Sequence, residues 1–169
     1  RCDDTLLYST QKKFDIIVGN PPWGATIAKN KMYNIQKNYF TAKEKGTETF
    51  SLFLEKGIRL LDNKGFISFV LPESILNVAS HENIREYILS SCNLIFNDYL
   101  GCAFSGVNTP VIVLGLQKST DKNPGIEKVF YKEKIYRIHT NRQISPKSFS
   151  FNITDEAQSK LSLRRQQPI

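Results

Sequence analysis

Asn20, Pro21, Pro22 and Trp23 stand directly after the apolar run Phe14-Asp15-Ile16-Ile17-Val18-Gly19. Proline fixes φ at about −65° and has no N–H to donate. It also drives the residue before it into extended geometry. Asn20 is therefore held extended, and the turn presents two hydrogen-bond acceptors, the Asn20 amide oxygen and the Pro21 carbonyl. Trp23 sets a flat π-face beside them. Acceptors next to a stacking surface suit a planar ring that carries an exocyclic amino group, and adenine is one. The side-chain amide of glutamine fits the same acceptors with less use for the stacking face.

The elements around this tetrapeptide follow from periodicity. Residues 14–19 read as a fully buried strand of the kind found in parallel sheets. In open α/β sheets, ligands bind beyond the carboxyl ends of such strands, where Asn20 falls. Residues 24–46 are polar, rich in Lys and Asn and weakly periodic, which predicts a long loop. From Glu48 to Leu61 the positions of Phe50, Phe53, Leu54, Ile58 and Leu61 recur at helical spacing, and Asp62-Asn63-Lys64-Gly65 turns the chain. Residues 66–71 read as a second buried strand closed by Pro72. Ser80 is placed to cap a helix running to Ser91, with Glu82 near its positive end. Residues 94–100 and 111–116 read as two further strands close enough to pair antiparallel. Strand, helix, strand, helix, strand, strand is an α/β layer architecture. Beyond Lys118 the turn-rich connector STDKNPG marks a boundary, so residues 1–118 and 119–169 read as two regions. The second is expected to hold one or two exposed strands over 127–139 and a short helix from Thr154 to Arg165.

The 169 residues suit one domain, and a net charge of +7 favours a polyanionic partner, nucleic acid above all. The lysines of the 24–46 segment, Lys29, Lys31, Lys37, Lys43 and Lys45, are candidates for phosphate contacts. Cys2, Cys92 and Cys102 are odd in number and lack CxxC spacing, and His81 and His139 lie far apart. That pattern argues against a disulfide scaffold or a metal site and fits a reducing, cytoplasmic setting. No apolar run approaches the length of a membrane span. Glu55 and Arg59, four apart on the predicted helix, read as a surface ion pair, and Glu73 as loop polarity.

FDIIVGNPPWG resembles the catalytic motif of S-adenosylmethionine-dependent N6-adenine DNA methyltransferases. TFSLFLEKGIRLLDNKGFISFVLPESIL is similar to the helix and strand that follow it in that family, and GCAFSGVNTPVIVLGLQKS to the hairpin that supplies a second aromatic. Asp4, in DDTLLYST, falls where the family has an acidic residue on the cofactor's adenine. The resemblance covers roughly residues 3–118 and leans toward type IIG-like restriction-modification enzymes, whose methylase and target-recognition parts share one chain. It implies a Rossmann-like class I methyltransferase fold in part, namely the second half of the sheet ending in an antiparallel hairpin. It implies catalytic roles for Asn20, Pro21, Pro22 and Trp23, and stacking of a flipped-out adenine on Trp23 with Phe104 beside it. Asp4, Asn20 and Phe50 would contact S-adenosylmethionine, and the partner would be double-stranded DNA.

One departure from the family matters. Its glycine-rich first motif is absent, since no GxG follows a strand here. By resemblance the first three strands lie before Arg1, so the isolated fragment is expected to be inactive and to bind the cofactor negligibly. The edge of the 14–19 strand would then be covered by the missing N-terminal half or by strand-edge self-association. Two other readings stay open: a protein glutamine-N5 methyltransferase, whose fold and Asn-Pro-Pro-Tyr tip are similar, and a non-catalytic DNA-docking fragment.

Overall fold

The computed structural model describes residues 4–42, 48–106, 108–119, 128–131, 134–137, 144–145 and 147–149. The helix expected between Thr154 and Arg165 lies outside them. Six strands form one mixed sheet: β1 (Phe14–Gly19), β2 (Leu61–Pro72), β3 (Cys92–Gly101), β4 (Val111–Lys118), β5 (Lys128–Tyr131) and β6 (Lys134–Arg137), in the order β1-β2-β4-β3-β5-β6. β1 and β2 run parallel, with α1 (Lys29–Asn38) and α2 (Thr49–Leu60) in the crossover between them. α3 (Glu82–Ser91) connects β2 to β3. β4 inserts antiparallel between β2 and β3, which is the expected hairpin, and β5 pairs parallel with β3. A two-stranded ribbon, β7 (Ile144–Ser145) with β8 (Ser148–Phe149), brings Phe149 into the main core.

That core joins α2 and α3 to one face of the sheet. Leu54 and Ile58, and Ile84 and Ile88, meet Ile67 and Leu71 of β2 and Ile112, Leu114 and Leu116 of β4. The strand positions alternate, as a face covered on one side requires. Gly57 lets α2 settle closely on β2, because a Cβ there would collide with Ile67 Cδ1.

Four expectations are corrected. The 24–46 segment is not all loop, because α1 occupies residues 29–38. Its anchors are sparse: Ile35 and Tyr39 are buried with Leu6, Ala42 and Leu52 in a second cluster, and apart from Met32 and the exposed Tyr33 the rest of the helix is polar. A helix held by so few apolar residues leaves little periodicity to read. Ser80 does not cap α3. Residues 79–81 form a 3₁₀ turn, the helix starts at Glu82, and no side chain bonds to its first amides.

The Glu55–Arg59 pair is not a surface pair, since Glu55 is fully buried. Its carboxylate accepts bonds from Phe40 N (2.9 Å), Thr41 N (2.9 Å) and Thr41 Oγ1 (2.7 Å) as well as from Arg59 Nη2. A buried carboxylate needs such partners, and here they tie residues 40–42 to α2.

Lastly, β1 is a strand but not a buried one. Phe14, Ile16 and Val18 are 44%, 68% and 72% exposed, and Phe66, beside Ile16 on β2, is 44% exposed. The cause is position: among the described residues β1 pairs only with β2. Also among them, no helix is long and apolar enough to cross a membrane, and no cluster of His, Cys, Asp or Glu has the makings of a metal site.

Candidate active site

The turn at the end of β1 is pinned by the start of α2. Thr49 Oγ1 donates to the Pro22 carbonyl (2.9 Å) and accepts from Ala25 N (3.1 Å). Gly24, at φ +64°, supplies the left-handed step that lets the chain fold back onto Thr49. Pro21 is buried, whereas Asn20 is exposed and makes no hydrogen bond among the described residues. A rigid backbone thus carries an unengaged amide at the carboxyl edge of the sheet.

Trp23 is half-buried against the main core, and its Nε1 is enclosed without a hydrogen-bond partner. Phe104, 41% exposed on the β3–β4 hairpin, meets it edge to face with ring centroids 5.9 Å apart and planes at 66°. Rings in that arrangement touch one another and leave no slot between them.

Two further ties fix the hairpin and the loop after β2. Glu73 N donates to the Pro110 carbonyl (2.8 Å), holding the hairpin's return against the end of β2. Arg85, fully buried, donates through Nη1 to the Ile75 and Val78 carbonyls (each 2.8 Å) and through Nη2 to the Lys147 carbonyl (3.1 Å). Burial pushes its guanidinium pKa down, partly opposed by Glu82. Burial, then the charge on Arg85, also pushes His81 down and favours the neutral ring, whose Nε2 lies 3.3 Å from Ser74 Oγ.

The remaining candidate residues fall apart from this corner. The Asp4 carboxylate is held by Lys31 Nζ (2.6 Å) and Leu6 N (3.0 Å), and the Lys31 bond leads in keeping its pKa below the usual value. Phe50 is 1% exposed inside the core, edge to face with His81 at 5.1 Å. As a cofactor-lining residue it would act through the wall behind it, since it presents no open face. The structure therefore joins Asn20, Pro21, Pro22, Trp23 and Phe104 at one end of the sheet, ties Asp4 to Lys31 of α1, and places Phe50 inside the core. Thr49 and Arg85 were missed. Both look ordinary in sequence, a helix-start threonine and one arginine in an amphipathic helix, and only their partners distant in the chain give them a role.

Known structures define the class. A protein of Listeria monocytogenes assigned as a class I S-adenosylmethionine-dependent methyltransferase superposes with a TM-score of 0.61 at 16% identity, over 95% of this chain and 44% of its own. At that identity the likeness is one of fold, and the fold is part of the class I methyltransferase fold. The chain belongs to the Eco57I restriction-modification methylase family, which matches residues 3–101. The type II methyltransferase M.VspI of Vibrio sp. (strain 343) is 28% identical over 121 residues, 70% of this chain and 29% of that protein. The type II restriction enzyme and methyltransferase RM.Eco57I of Escherichia coli is 30% identical over 83 residues, 47% of this chain and 8% of that protein. The chain thus spans less than a third of the length of either relative.

Proposed function

We propose that this chain carries the base-binding half of a restriction-modification DNA methyltransferase that methylates the N6 amino group of adenine in the cytoplasm. The observation that carries the reading is the free Asn20 amide on a pinned turn, beside the Trp23–Phe104 corner. Adenine in a duplex cannot reach such a corner, so the base leaves the stack and lies on Trp23, where stacking is worth about 1–3 kcal/mol. Its amino nitrogen is a poor nucleophile because the lone pair is delocalised into the ring. Hydrogen bonds donated to Asn20 Oδ1 and to the Pro21 carbonyl return that density to nitrogen and stabilise the positive charge it gains. They also aim the lone pair for in-line attack. S-adenosylmethionine, when bound, supplies the electrophilic methyl group. The extra proton leaves the nitrogen after transfer, so no side chain here has to act as a base.

The described residues do not make a complete cradle for that cofactor. Asp4 is engaged by Lys31, Phe50 is enclosed, and no glycine-rich loop follows a strand. We propose that the cradle comes from a preceding segment of the same protein, which pairs with the open edge of β1 and covers Ile16 and Val18.

In the complete enzyme, Asn20→Ala should lower methyl transfer to DNA by roughly 10²–10³, the cost of losing one preorganised hydrogen bond. Transfer at the wild-type rate would remove Asn20 from the mechanism. Label appearing on a protein glutamine and never on DNA would replace the adenine reading with the glutamine one.

A further inference from the structure

The outer side of α1 carries lysines, amide side chains and one tyrosine, and it lies outside the candidate active site. Ile35 is buried and Lys31 is bound to Asp4, which fixes how the helix is rotated. Lys29, Tyr33 and Lys37, spaced four apart, therefore form one exposed row, with Asn30 and Asn34 as a second row beside it. The helix contains no acidic residue, and Lys29 and Lys37 enter no ion pair among the described residues. Tyr33 is 73% exposed between them. Unlike Ile16 and Val18, it is flanked by cations and amides and not by other apolar groups.

We infer that this row is a DNA-backbone contact surface: Lys29 and Lys37 each meet a phosphate, and Tyr33 lies on the sugar between them with its hydroxyl on a phosphate oxygen. The inference rests on the proposed action on DNA and adds to it a surface outside the base pocket. Charge supports this partner, because two unpaired cations four residues either side of a tyrosine match a polyanion, and Lys, Tyr and Asn are all common phosphate contacts. Reach supports it too. Lys29 follows Trp23 by six residues, and an extended chain of that length spans at most about 20 Å. Along one strand of a duplex that distance corresponds to about six phosphates, so the row lies within reach of the strand whose base is held at Trp23.

The test uses the full-length protein. DNA affinity is measured over a salt series, and methyl transfer is measured at saturating DNA, for wild type, Lys29→Gln/Lys37→Gln and Tyr33→Ala. Loss of two phosphate contacts should reduce the slope of log K against log salt by about 1.8. Tyr33→Ala should weaken binding roughly tenfold, the scale of a lost hydrogen bond to a charged group. Transfer at saturation should not change in either variant. If wild type methylates DNA while the slope and affinity of both variants stay at wild-type values, the α1 inference is overturned and the base-pocket reading survives. If wild type transfers no methyl group to DNA under any condition, the underlying reading fails first.

Discussion

β1 and β4 look alike in sequence and differ most in structure. FDIIVG and VIVLGLQK are both mainly apolar runs containing one glycine, yet β4 is largely buried while only Ile17 of β1 is even partly so. β4 has a strand on each side and α2 and α3 over one face, whereas β1, among the described residues, has a neighbour on one side. An apolar run states what a strand requires, and the surrounding chain decides whether the requirement is met. β4 is satisfied within this chain. β1 leaves Phe14, Ile16 and Val18 at the surface.

The largest expected contrast tests that difference directly. Leu114, 1% exposed on β4, is packed from both layers, so Leu114→Ala should cost about 2–5 kcal/mol of unfolding free energy in a denaturant titration. A loss below about 1 kcal/mol would mean that the core in solution is looser than this packing, since even Ile→Val in a good core costs about that much.

A second contrast is acid–base and lies on the covered face. Cys92 on β3 packs in the core, and burial pushes its thiol up to about 12 from an ordinary 9.0; the nearby Lys118 charge opposes this only in part. Burial likewise pushes the Tyr39 hydroxyl up to about 12. Both groups are neutral in the folded state over a range where the unfolded chain has already lost their protons. Their contribution to stability is therefore complete below about pH 9 and declines as pH rises toward 12. Cys92→Ala should make that alkaline decline shallower, and unfolding midpoints measured from pH 8 to 11 would show it as converging curves. Parallel curves would mean that the Cys92 thiol is open to water. Cys102, exposed on the hairpin, serves as the internal control: it should react with iodoacetamide in the native protein while Cys92 does not.

The sheet's strands, α2 and the antiparallel hairpin were visible in the sequence because each carries its own periodicity. The rim tetrapeptide was visible because two prolines and a tryptophan are conformationally loud. What escaped depends on contacts far apart in the chain. α1 is held by Ile35, Tyr39 and the Lys31–Asp4 pair, too few residues to leave a pattern. Glu55 and Arg59 had the spacing of an exposed pair, and only the backbone amides of residues 40 and 41 explain why Glu55 is buried. Thr49 gained its role by meeting Pro22 from 27 residues away.

Val18 is 72% exposed, so Val18→Ala should change the stability of this chain by less than about 0.5 kcal/mol, the usual range for a surface position. An exposed apolar edge strand is also a template for pairing with another chain. This chain alone should therefore sediment with a concentration-dependent increase in mass, and Val18→Lys should suppress it by placing a charge on the edge. If Val18→Ala costs as much as Leu114→Ala, β1 is already covered in solution. In that case Val18→Lys separates the two coverings: it lowers the sedimenting mass if a second copy lies on β1, and leaves it unchanged if the chain folds its own residues across the edge. If Val18→Ala costs little and no association occurs, the open edge is tolerated by the chain, and the proposed pairing segment is tested by joining it to this chain, where Val18→Lys should then reduce both stability and cofactor binding.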